Sequence, residues 1–199
     1  MNQHYRELLD LVGSRICHDL ISPIGAISNG VELISMSGDM AGPELSLITE
    51  SAENANARIR FFRIAFGAAQ PGQMIGRGEI AAVLADVWRG SRLVAHWAPE
   101  DDQPRHMVKL AFLLMLCLES AMPRGGRLSV NVAGGHWALL GEAEQLRLEP
   151  DLWALLGGAE VRPPLRAATV QFGLAALLAD DLERPLSIES GPETVRIRF

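Results

Sequence analysis

Seven consecutive residues, His18-Asp19-Leu20-Ile21-Ser22-Pro23-Ile24, hold most of the chemistry this sequence offers. An exposed imidazole is available as a nucleophile near neutral pH. On a helix His18 falls about 200° round from the apolar Ile16, so it is expected to face solvent. Asp19 can take the Nδ1 proton and leave Nε2 as the attacking atom, although helical neighbours do not face each other and the contact needs a bent rotamer. Ser22 lies one turn on, on the same face. Pro23 removes the helical hydrogen bond to the Asp19 carbonyl and is expected to kink the helix beside the histidine.

The elements that must carry this segment are two amphipathic helices within residues 3 to 70. Apolar residues recur at three- and four-residue steps through Val12, Ile16, Leu20, Ile24, Ile27, Val31 and Ile34, and again through Leu45, Ile48, Ala52, Ala55, Ile59, Phe62 and Phe66. That is the bundle signature. Between them Gly38 and Gly42 break the helix and Pro43 suits the start of the next. A turn centred near residue 40 brings residue 62 opposite His18, which places Arg58, Arg60 and Arg63 near the histidine, joined by Arg15 one turn before it. Arg15 and one or two of the others then form a basic rim suited to a phosphoryl group or an acidic partner. Leu8, Leu11, Ile21, Leu33, Leu47 and Ile64 remain as apolar surface outside the pairing stripe. The expected remedy is a homodimer whose two hairpins form a four-helix bundle, unless the second half of the chain covers that surface.

Residues 68 to 78 read as a linker, which divides the chain into a helical hairpin over 1–70 and a second domain over 77–199. In the second part, 79–88 and 106–122 read as helices, 93–97 and 127–133 as strands, and Gly134-Gly135 as a hairpin turn into 136–140. A helical piece near 151–156, a helix over 169–179 and a closing β-hairpin complete an α+β sandwich with helices on one face. The four tryptophans, Trp88, Trp97, Trp137 and Trp153, all fall here and read as core.

Composition excludes several classes. The chain has 199 residues, is 48% hydrophobic and carries a net charge of −6, against sequence-independent nucleic-acid binding. No apolar run nears the roughly 18 residues of a membrane span. The charged N-terminus lacks a signal-peptide core, so a cytoplasmic location is expected. Two cysteines, Cys17 and Cys117, make neither a disulfide framework nor a zinc site.

The pattern His18-Asp19-Leu20-x-Ser22-Pro23-Ile24 in the first arm of a helical hairpin resembles the phosphoacceptor box of sensor histidine kinase dimerisation domains. The resemblance implies that His18 is phosphorylated on a ring nitrogen, that Asp19 orients or deprotonates it, and that Ser22 influences phosphoryl hydrolysis. In order of elements the second half resembles the ATP-binding domain of the kinase, topoisomerase and chaperone superfamily, a Bergerat or GHKL-like sandwich. Its catalytic features are missing. LCLESAMP offers Cys117, Glu119 and Ser120 where a metal-binding asparagine belongs, HWALLGEAEQL lacks the adenine-reading acid and glycine pair, and Gly157-Gly158 is all that stands for a glycine-rich lid. Glu119 is a candidate Mg²⁺ ligand or, more simply, a solvated helix end. The expectation is a retained fold without ATP binding.

Taken whole, the sequence is similar to the ChpT-type histidine phosphotransferases of alphaproteobacteria. That similarity implies a cell-cycle phosphorelay in which His18 takes a phosphoryl group from a receiver aspartate, as on a CckA-like hybrid kinase, and passes it to another, as on a CtrA-type or CpdR-like regulator. No cofactor of its own is implied, the receiver supplying Mg²⁺. Receivers are expected to dock beside His18 on Arg15, Ile21, Gly25, Arg58 and Arg63. Two other readings are an autophosphorylating kinase with divergent nucleotide boxes and a non-catalytic dimeric scaffold for response regulators.

Overall fold

The computed structural model describes residues 3–37, 43–160 and 163–199. Two helices, α1 (Gln3–Ser37) and α2 (Pro43–Ala65), pack antiparallel as the periodicity predicts, and Pro43 opens the second. The expected turn at residues 38–42 lies outside the described residues. Helix α1 runs unbroken through Pro23. The two helices pack tightly at Gly30, where an added Cβ would come within 2.5 Å of Ile48 Cγ1.

The rest of the chain is built from β1 (Met74–Ile75), α3 (Arg77–Val87), β2 (Leu93–Trp97), β3 (Gln103–Pro104), α4 (Arg105–Ala121), β4 (Gly126–Ala133), β5 (His136–Glu142), α5 (Pro150–Leu156), α6 (Val170–Asp181), β6 (Ser187–Ser190) and β7 (Thr194–Arg198), with a 3-10 turn at Ala167–Thr169 before α6. A five-stranded sheet has the order β2-β4-β5-β7-β6. Only β2 and β4 run parallel, because α4 provides the crossover between them. Gly134 and Gly135, at φ of 57° and 78°, close the β4–β5 hairpin with the left-handed pair that such a turn requires. Gly125, at φ of 91°, lies so near the Arg92 backbone that a Cβ would meet its carbonyl oxygen at 2.3 Å. The short antiparallel pair of β1 with β3 falls where the sequence reads as linker and turn. Two-residue strands are too short to show a period, and pairing across the chain alone defines them.

The core is centred on α4, whose residues from Leu110 to Leu118 are all buried, and the four tryptophans are buried as expected. It does not stop at the linker. Phe61, Phe62 and Ile64 of α2 belong to the same cluster, with Phe61 stacked on Phe112 at 4.7 Å and edge-on to Trp88 at 5.6 Å. Leu8 of α1 is buried, its side chain lying against Gly173 of α6. Leu8 and Ile64 are therefore not left over for a partner, as the periodicity suggested; the second half of the chain covers them. Ile24, Val31, Leu45 and Ile59, expected inside the hairpin, are exposed instead. A repeat of three and four marks which positions are apolar, but not which neighbour buries them.

The joint also carries a polar anchor that the sequence does not reveal. Arg105, at the start of α4, donates from Nη1 to the Ile64 carbonyl at 2.9 Å and from Nη2 to the Arg63 carbonyl at 2.6 Å. These are carbonyls of the last turn of α2, left without helical donors, and a guanidinium satisfies two at once. Burial pulls the Arg105 pKa below its ordinary value, Glu79 opposing and Arg63 reinforcing the shift.

A candidate phosphoacceptor site on the helical hairpin

Helix α1 presents His18 to solvent with its side chain 83% exposed, while Asp19, one residue on, is only 10% exposed. Their contact is made by the expected bent arrangement, with His18 Nδ1 3.0 Å from Asp19 Oδ1. A carboxylate only accepts, so Nδ1 is the donor in this contact, and it is Nε2 that bears the lone pair whenever the ring is neutral. The second carboxylate oxygen is also occupied. Arg15 Nε donates to Asp19 Oδ2 at 2.8 Å from one turn earlier, and Arg58 Nη1 of α2 lies 3.7 Å from the same atom. One acid thus receives an imidazole and two guanidinium groups, drawn from both arms of the hairpin.

Of the arginines that the hairpin projects near His18, Arg15 and one from the second helix reach the site. Arg15 and Arg58 gather at Asp19, with Arg58 also donating to Asn54 Oδ1 at 3.3 Å. Arg60 turns away to Asp86 of α3 at 2.6 Å, and Asp86 in turn pairs with Arg89, which reaches Glu53 at 3.0 Å. Arg63 stands 3.8 Å from Glu79 of α3, so its charge is directed toward the α/β layer and the expected place beside His18 is not where its ion pair lies. The α3 layer takes up the base of α2 on that side, and a projection of the hairpin alone misses it.

Ile21, Ser22 and Gly25 are exposed on α1 within two turns of His18. Ile21 is 70% exposed, and nothing lies within 4 Å of where a Gly25 Cβ would stand. The surface beside the imidazole is therefore low and apolar, open to a docking element. Arg15 is different from the rest of the expected docking set: its side chain is only 15% exposed and its Nη1 donates to the Ala168 carbonyl at 3.0 Å.

The positions that would bind a nucleotide in an ATPase-like domain have other partners. Glu119, half-buried, accepts from the Trp88 indole Nε1 at 2.9 Å through one carboxylate oxygen. Ser120 Oγ donates to the Cys117 carbonyl at 2.7 Å. Burial pushes the Cys117 thiol well above its ordinary pKa, with the nearby Arg15 charge pulling the other way. Gly157 caps the C-terminus of α5, and Gly158, at φ of 81°, turns the chain out of it. Among the described residues no group of three or more His, Cys, Asp or Glu side chains is placed to hold a metal ion, and no helix is long and apolar enough to cross a membrane.

An exposed, proton-directed histidine on a helical hairpin, backed by an acid and two arginines and joined to an α/β sandwich, defines the class of histidine phosphotransfer proteins. Comparison with known proteins agrees. Residues 77–194 match the family described as the histidine phosphotransferase C-terminal domain. The chain is 36% identical over 191 residues to the protein phosphotransferase ChpT of Brucella abortus (strain 2308), covering 93% of this chain and 91% of that one. It also superposes on a solved bacterial phosphotransferase with a TM-score of 0.82 at 34% identity, covering 100% of this chain and 97% of that one. The chain belongs to the ChpT-type histidine phosphotransferases, and it is a phosphotransferase of a phosphorelay.

Proposed function

We propose that His18 is the residue that carries the phosphoryl group, between the aspartates of two receiver domains. The observation that carries this reading is the His18 Nδ1 contact to Asp19, which leaves an exposed Nε2 lone pair free. In the transfer Nε2 attacks the aspartyl phosphorus in line, the N–P bond forms as the P–O bond to the receiver aspartate breaks, and the carboxylate leaves. The ring gains positive charge as it does so, and Asp19 offsets it. Arg58, a third exposed and held near Asp19, is placed to meet the phosphoryl oxygens. Ser22, on the same face, borders the site where hydrolysis competes. Mg²⁺ comes with the receiver, and the phosphotransferase supplies orientation and charge.

Receivers dock on Ile21, Gly25 and Arg58, and Arg63, turned to Glu79, is left out of the footprint. In this reading the hairpin over 1–70 is the dimerisation and phosphotransfer domain, and 77–199 is an ATPase-like domain that does not bind ATP. The engagement of Glu119 by Trp88 and the use of Gly157-Gly158 to end α5 favour that view over an autophosphorylating kinase. The exposed Ile24, Val31, Leu45 and Ile59 support a homodimer built on a four-helix bundle. A CckA-like donor and CtrA- or CpdR-like acceptors in a cytoplasmic cell-cycle pathway complete the proposal. The test is to mix the protein with a phosphorylated receiver domain. Acid-labile, alkali-stable label is expected on the wild type and absent from His18→Gln; equal labelling of both refutes the reading.

A further inference from the structure

We propose that Arg15 is a positioning residue through which the α/β half of the chain fixes the proton of His18, an inference that rests on His18 being the phosphoacceptor. The sequence places Arg15 on the receiver's side of the site, but its guanidinium is spent inward. Nε holds Asp19 Oδ2 at 2.8 Å and Nη1 holds the Ala168 carbonyl at 3.0 Å. Ala168 lies in the 3-10 turn before α6, more than a hundred residues away in sequence, so this one side chain joins the phosphoacceptor to the other layer of the molecule.

The carbonyl that Arg15 grips is itself held in place. Gln171 Nε2 donates to it at 3.0 Å, from a residue only 1% exposed whose Oε1 finds no partner. The turn is closed by the Thr169 N–H to the Arg166 carbonyl at 2.9 Å and by the Arg166 N–H to Thr169 Oγ1 at 3.0 Å, with Thr169 buried. Leaving an amide oxygen buried and unpaired is costly, and the return is a fixed acceptor for Arg15.

The consequence reaches the reacting nitrogen. With Oδ2 pinned by Arg15, the Asp19 carboxylate turns Oδ1 to His18 Nδ1 at 3.0 Å. The hydrogen bond at one ring nitrogen decides which nitrogen carries the proton. Nδ1–H leaves Nε2 bare for attack, whereas a carboxylate free to rotate lets the proton move to Nε2 and block it. Transfer then needs no base: the Nδ1 proton stays in place while the N–P bond forms, the aspartate–phosphoryl P–O bond breaks and the receiver carboxylate leaves. The α/β half, whatever else it does, acts on the chemistry by holding one carbonyl.

Arg15→Met, Arg15→Lys and Thr169→Val in the full chain test this, with long-range proton–nitrogen spectra of nitrogen-labelled histidine and steady-state transfer from a phosphorylated receiver domain. The wild type is expected to show His18 protonated on Nδ1. In Arg15→Met the Nε2–H form should appear and kcat fall by about 30- to 100-fold with KM for the receiver unchanged, as a misplaced reacting group predicts. Arg15→Lys should recover part of kcat, and Thr169→Val, a buried change in the turn that carries the Ala168 carbonyl, should lower kcat about 3- to 10-fold with the same spectral change. A raised KM with unchanged kcat and tautomer in Arg15→Met assigns Arg15 to the receiver and overturns the proposal. A wild-type spectrum in Thr169→Val breaks the link to the α/β half and does the same, even if the Arg15 variants fail to fold. His18→Gln runs alongside: label persisting there refutes the phosphoacceptor reading, while label lost there with wild-type kinetics in Arg15→Met refutes this inference alone.

Discussion

The two ends of the helical hairpin are made of the same kinds of residue and live in opposite surroundings. At its base Leu8, Phe61, Phe62 and Ile64 are buried in the core of the α/β layer and Arg105 caps the end of α2. Toward its tip Ile24, Val31 and Leu45 stand in solvent. His18 sits at the boundary, its Asp19 partner tied to the base through Arg15 and its own ring open to the free side. For the phosphoacceptor role proposed for His18 both matter: a rigid mount for the proton and an unobstructed surface for a receiver that must bind and leave.

That contrast can be broken from either end. The largest effect is expected at the base, where Phe61→Ala removes the ring stacked on Phe112 and should cost about 3–5 kcal/mol in a urea titration. A cost below about 1 kcal/mol would mean the hairpin is not mounted on the α/β core. At the tip, the double variant Val31→Glu with Leu45→Glu should change the assembly and spare the fold. Sedimentation should report the mass of one chain for the variant and two for the wild type, with the near-ultraviolet signal of the four buried tryptophans retained. Beside His18, nothing lies within 4 Å of a Cβ added at Gly25, so Gly25→Trp should keep the wild-type melting temperature while KM for the receiver rises about tenfold or more. Unimpaired transfer would move the docking face elsewhere.

The smallest effect concerns the thiols. Cys17 is exposed and Cys117 buried, so alkylation of the native protein should label the first and leave the second until unfolding. Burial holds the Cys117 proton to higher pH than in the unfolded chain. Its contribution to stability is therefore complete below the unfolded thiol pKa of about 8.5 and declines above it, on the order of 1 kcal/mol per pH unit, toward the higher folded value. Urea midpoints that stay flat from neutral pH to well above that value would show Cys117 to be solvated.

Much of this was legible in the sequence because it rests on local chemistry. The His18–Asp19 contact, the exposed face of Ser22 and Gly25, the glycine hairpin at Gly134-Gly135 and the burial of four tryptophans follow from spacing and side-chain type. The joint between the two halves does not. Arg105 reaches α2 across some 40 residues with no capping motif near it in sequence, and Arg15 meets a backbone carbonyl, which any residue could supply. A projection of the hairpin alone brings Arg58, Arg60 and Arg63 near His18 without telling which one or two join the rim; α3 decides it by taking Arg60 and Arg63 through Asp86 and Glu79. For the same reason Ile59 was expected inside and Ile64 outside, and the structure exchanges them. Periodicity reports that a face is apolar, and only the fold reports what meets it.

The central claim is that His18 Nε2 holds the phosphoryl group in transit. Trypsin releases a peptide spanning residues 16 to 58 whose only histidine is His18. After a brief reaction with a phosphorylated receiver domain, fragmentation of this peptide should place the phosphoryl group on His18, and phosphorus–nitrogen couplings in the labelled protein should assign it to Nε2. A phosphoryl group on Nδ1, on Asp19, or on any histidine outside this peptide would contradict the account.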